Sequence, residues 1–77
     1  MACQIHRIVC FIESRLTPFA VSRLIMMSGV PVRKYGPTSD DDAHDLRKIR
    51  MAIRTLLSPR DQQDLDGELA RDAKAAR

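Results

Sequence analysis

The sequence predicts an all-α fold: a small single-domain bundle of about four helices, at approximately 3–16, 18–28, 40–57 and 59–73. Three observations carry this expectation. Apolar residues recur at helical spacing in two long stretches, Ile5-Ile8-Val9-Ile12-Leu16 and Leu46-Ile49-Ile53-Leu56-Leu57. Thr17-Pro18 and Ser58-Pro59 each set a capping hydroxyl directly before a proline, the arrangement that starts a helix. No segment alternates convincingly, and the aromatics are limited to Phe11, Phe19 and Tyr35, so the core must be aliphatic and rich in methionine, as in a small bundle.

Residues 3–16 read CQIHRIVCFIESRL. Many of the apolar residues are β-branched, and a strand through Val9 and Phe11 is the alternative; a lone strand would have no sheet to join, so helix is preferred. Thr17 then caps a second helix with Pro18 at its first position. Gly29 is placed to take the left-handed conformation that ends it, and Pro31 forbids continuation. This helix is apolar on most sides (Phe19, Ala20, Val21, Leu24, Ile25, Met26, Met27). It is expected either to be the most buried element or to turn part of its surface to a partner. The flexible pair Met26 and Met27 suits both.

Residues 30–38, VPVRKYGPT, form a loop with room for one short turn around Val32 to Tyr35. The main helix follows. Ser39 is its expected N-cap, with Asp42 in the capping-box position. Its charges are sorted as the helix dipole prefers, Asp40, Asp41, Asp42 and Asp45 first, then Arg47, Lys48, Arg50 and Arg54. The last helix begins with Ser58, Pro59 and Asp61 and has a thin stripe of Leu65, Leu69, Ala73 and Ala76. Gly67 inside it costs about 1 kcal/mol relative to Ala. A frayed tail is expected from about residue 74.

Seventy-seven residues make one domain, 1–77, burying about 60% of the surface its unfolded chain exposes. Apolar residues at 44%, charged residues at 30% and a net charge of +3 suit a folded protein; the mild basicity permits nucleic-acid binding without demanding it. Cys3 and Cys10 on one helix would lie about 10 Å apart, beyond disulfide reach, so they read as free thiols of a cytoplasmic protein. No apolar run approaches about 18 residues, so no membrane span is expected.

Metal and catalytic chemistry find little support. Cys3, His6 and Cys10 have C-x2-H-x3-C spacing, but only His44 remains as a fourth ligand, and scattered thiols with a surface histidine explain them as well. There is no nucleophile elbow and no glycine-rich phosphate loop, and the acids gather where a helix start explains them. The expectation is no enzyme, no cofactor, no metal and no small-molecule substrate.

Bases are more suggestive. Arg7, Arg15 and Arg23 punctuate the first two helices, Arg33 and Lys34 lie in the loop, and four bases line the main helix. The candidate nucleic-acid contacts are Arg33, Lys34, Tyr35, Arg47 and Arg50, set against the plainer reading of a solvated helix face. The segment RLIMMSGVPVRKYGPTSDDDAHDLRKIRMAI resembles the helix-turn-helix of Cro/CI-type regulators, in its Ser28-Gly29-Val30 turn and in Leu46, Ile49, Ala52 and Ile53 of the later helix. The resemblance implies a DNA-binding transcriptional regulator. It departs where the recognition helix belongs, since Pro31, Gly36 and Pro37 leave about one turn there, and Ile25 stands where a small residue is usual.

Two functional expectations follow. The first is a small DNA-binding regulator of degenerate helix-turn-helix type, monomeric or homodimeric. The second is a helical adaptor or inhibitor that regulates a larger protein through Met26, Met27 and the heptad-like seam of Leu46, Ile49 and Ile53, which could also pair with a second copy.

Overall fold

In the computed structural model, which describes residues 3–75, α1 spans Gln4–Arg15 and is capped from far along the chain. Cys3 holds the cap position, but its side chain caps nothing. The first-turn donors go instead to Asp41, whose carboxylate accepts from the Gln4 and Ile5 N–H groups, each at 2.9 Å. The Cys3 thiol donates to the same carboxylate at 3.1 Å, and the Cys3 N–H donates to the Pro37 carbonyl at 3.0 Å. Helix rather than strand results because Ile5, Ile8 and Ile12 fall on one face and are completely buried there.

The second helix, α2 (Pro18–Ser28), has the expected bounds because both ends are fixed by local chemistry. Thr17 Oγ1 accepts from the Ala20 N–H at 3.2 Å, and Gly29 takes φ 69° with its N–H on the Ile25 and Met26 carbonyls. Its expected role as the most buried element is corrected. Val21, Leu24 and Ser28 are buried, but Phe19, Met26 and Met27 are exposed. In a bundle this small, α1 and the main helix cover one side of α2, and nothing in the described chain covers the other.

The loop makes a single 3₁₀ turn, Val32–Lys34, and then folds back under Tyr35. Ser39 does not start the main helix, as its Oγ accepts from the Gly36 N–H at 2.8 Å and closes the loop. Asp42 is the cap, accepting from His44 at 2.8 Å and Asp45 at 3.2 Å, so α3 runs Ala43–Leu56. The three extra residues expected at its N-terminus are loop because Asp41 is turned toward α1. Helix α4 (Pro59–Ala75) starts as expected on Ser58, whose Oγ accepts from the Asp61 N–H at 3.2 Å. Residues 74 and 75 are still helical; the rest of the expected frayed tail lies outside the described residues.

The fold is therefore all-α, with four α-helices and no strand among the described residues. Its core joins Ile5, Ile8, Phe11 and Ile12 of α1 to Leu24 of α2, Ile49 and Ile53 of α3 and Leu65 of α4. Helix α3 packs on both α1 and α2, while α4 lies along α1. Arg15 fastens that last contact with Asp64 at 3.1 Å and Asp61 at 3.8 Å. The radius of gyration, 11.7 Å, is that of a close-packed chain of this length. No helix among the described residues is long and apolar enough to cross a membrane.

Candidate functional site

The buried face of α3 is fixed by Asp45, Ile49 and Ile53, so its opposite face is fixed too. Arg47, Met51 and Arg54 fall on that outer face at i, i+4 and i+7, flanked by Arg50 and Lys48. All five are exposed. Because α4 lies along α1, a trough of about 470 Å³ remains between α3 and α4. Ile8, Leu46, Ile53, Leu65 and Leu69 give it an apolar lining, and Arg47, Arg50 and Arg54 stand along the α3 wall. Among the described residues, Asp66 is the one carboxylate that lines it. Arg50 is partly engaged, donating to Gln4 Oε1 at 2.9 Å, whereas Arg47 and Arg54 have no side-chain partner among the described residues.

The candidate nucleic-acid residues are divided by the fold. Arg33 and Arg47 are exposed and unpaired among the described residues. Tyr35 is corrected from a stacking residue to a core residue, 6% exposed, with its hydroxyl donating to the buried Asp45 carboxylate. That bond, with burial and the Asp45 charge, drives the Tyr35 pKa well above its ordinary value. Lys34 belongs to the same assembly, with Nζ 4.0 Å from Asp45 and 5.3 Å from the centre of the Tyr35 ring. The turn that carries Arg33 and Lys34 is three residues long, too short to lie along a major groove.

The candidate protein-contact residues are divided as well. Met26 and Met27 are 81% and 57% exposed, and Phe19, two helical turns before Met26, is 77% exposed. Together with Arg23 they form the outer face of α2. Ile49 and Ile53 are corrected: the seam they form is filled by the chain's own α1 and α2, leaving them 0% and 5% exposed. Leu46 is half-buried at the edge of the trough. The sequence alone does not mark Ile8, Leu65, Leu69 and Arg54 as site residues. The signal available was the narrow stripe of α4, since two leucines one turn apart can cover one neighbour but not two.

The two thiols and two histidines are not gathered into one cluster. His6 Nε2 lies 3.5 Å from Cys10 Sγ, but Cys3 is buried against Asp41, and no group of three potential ligands occurs among the described residues. Burial, together with the Asp41 charge and hydrogen bond, raises the Cys3 pKa and keeps it a thiol. Comparison with protein families, with curated proteins and with solved structures finds no match to this chain.

Proposed function

We propose that the protein is a small helical adaptor or inhibitor that acts by binding another protein through the outer face of α2. One observation carries this reading: Phe19, Met26 and Met27 are exposed on one side of α2, and nothing in the described chain covers them. Covering a Phe or Met side chain completely contributes about 1.5–3 kcal/mol, so these three are sufficient anchors for a modest interface. Arg23 sits between them and favours a different protein over a second copy, because antiparallel pairing of two α2 helices would bring the two Arg23 side chains together. The test is quantitative affinity capture with wild type and with Met26→Asp, alongside light scattering for self-association. Wild type should retain a partner that Met26→Asp loses, with unchanged helicity. Equal capture by both proteins, or a wild-type dimer that Met26→Asp dissociates, would rule out this reading.

A second reading, DNA binding, is favoured by the unpaired Arg33, Arg47 and Arg54. It predicts duplex binding on the order of 10⁻⁶ M that weakens at least tenfold between about 50 and 200 mM salt. We rank it second because Tyr35 is buried in the core and the turn that carries Arg33 and Lys34 is three residues long.

A further inference from the structure

We infer that the trough between α3 and α4 is a second binding site, and that it takes an amphipathic helix of a partner protein with carboxylates along one edge of its apolar face. The lining and the rim make different demands, and together they define the occupant. Half-buried Leu46 and Leu69 and exposed Met51 offer the apolar surface that a helix meets with residues at i, i+3, i+4 and i+7, above a floor that buried Ile8, Ile53 and Leu65 already close. Arg47, Arg50 and Arg54 span seven residues of α3, about 10 Å along its axis, the same rise that separates carboxylates at i, i+3 or i+4, and i+7 of a partner helix. Guanidinium groups beside an apolar floor hold carboxylates in paired hydrogen bonds that are stronger than in open water. Asp66 stands on the α4 side, so the carboxylates must line the α3 edge alone. This fixes the orientation of the partner's charged stripe.

Charge also decides against other occupants. The exposed apolar helix of a second copy would be α2, which carries Arg23 and no carboxylate, so it would set like charge against the arginine wall. A nucleic-acid duplex could neutralise the arginines but has no apolar face to fill the floor. The trough is separate from the outer face of α2, and this site stands or falls independently of it.

The test uses the full chain and a labelled synthetic peptide of about fifteen residues, with Leu at i, i+3, i+4 and i+7 and Glu along one edge, long enough for helix to form on binding. Anisotropy should give saturable binding with Kd on the order of 10⁻⁵ M. Replacing Glu by Gln in the peptide, or Arg47→Gln with Arg54→Gln in the protein, should weaken it at least about tenfold. Both arginines are exposed and unpaired, so that double variant keeps the wild-type melting temperature. Met26→Asp should bind the peptide as wild type does, which separates this site from the α2 face. No saturable binding, equal affinity for the Gln peptide, or undiminished binding by the double variant would overturn the inference. Displacement of the peptide by a DNA duplex in a steeply salt-dependent manner would reassign the arginine wall to phosphate.

Discussion

The Asp41 carboxylate accepts the backbone N–H of Ile5 at 2.9 Å, joining the loop before α3 to the first turn of α1. The same carboxylate takes the Gln4 N–H and the Cys3 thiol, so one side chain satisfies two of the open backbone donors at the start of α1. Asp41→Ala should therefore destabilise the protein by about 1–2 kcal/mol, the range of a lost N-cap, although the residue lies in no helix. Chemical denaturation of the variant checks this. A loss below a few tenths of a kcal/mol would mean water replaces the cap at no cost.

The same contact predicts an acid limit. Partial burial pushes the Asp41 carboxyl up, but the Ile5 and Gln4 N–H groups, the Cys3 thiol and the Arg50 charge outweigh it and hold the pKa below its ordinary 3.8. Asp42 is lowered too, by the Asp45 and His44 N–H groups. Carboxyls lowered in the folded state add stability that is complete above their unfolded values and is lost as pH falls through the folded ones. Melting temperature should thus fall below about pH 4, and it should fall less steeply in Asp41→Ala. Parallel acid slopes for variant and wild type would exclude Asp41 as a source.

Tyr35 and Asp45 make the corresponding contact at the other end of the loop. Tyr35→Phe removes the hydroxyl and leaves the buried carboxylate with Lys34 at 4.0 Å as its remaining cation, a change that should cost about 1–3 kcal/mol. In wild type the raised Tyr35 pKa means that folded protein resists phenol ionisation. The stability this adds is complete below the ordinary value of 10.0 and is lost as pH rises beyond it. An ultraviolet titration should show phenolate appearing together with loss of helicity. Phenolate at pH 10 in a fully helical protein would contradict the buried hydrogen bond.

These two contacts mark the limit of what the sequence makes legible. Thr17, Gly29 and Ser58 act on residues within four positions of themselves, so the ends they set are readable from neighbours alone. Asp40, Asp41 and Asp42 are chemically alike in the sequence, yet Asp42 caps its own helix while Asp41 reaches a helix 36 residues away. No periodicity separates them. Tyr35 beside Arg33 and Lys34 has the composition of a nucleic-acid contact, and only the tertiary position of Asp45 turns its ring inward. Likewise Ile49 and Ile53 form a seam that any apolar helix could fill, and the chain fills it with α1 and α2. The arginine wall was legible as charge. The trough beside it was not, because it depends on α4 choosing α1 as its neighbour, a choice fastened by Arg15 and Asp64.

Two glycines should respond in opposite directions to the same substitution. Gly29 ends α2 with φ 69°, where an L-residue is strained even though a Cβ would meet nothing within 4 Å. Gly29→Ala should destabilise by about 1–2 kcal/mol. Gly67 lies inside α4 without a positive φ, and its Cβ would also enter open space. Gly67→Ala should stabilise by about 0.5–1 kcal/mol through helix propensity. Denaturation midpoints of the two variants settle the pair, and a stabilising Gly29→Ala would contradict the left-handed cap.

The two cysteines should differ sharply in reactivity. Cys3 is 1% exposed and its thiol donates to Asp41, so burial and a neighbouring negative charge both disfavour the thiolate that alkylation requires. Cys10 is exposed on α1. Under native conditions a thiol reagent should label Cys10 alone, and in denaturant it should label both. Asp41→Ala should speed Cys3 labelling, because it removes the thiol's hydrogen-bond acceptor and loosens the first turn of α1 together. If Cys3 and Cys10 react at equal rates in the folded wild type, the loop does not hold the α1 terminus closed, and the destabilisation expected for Asp41→Ala should vanish with it.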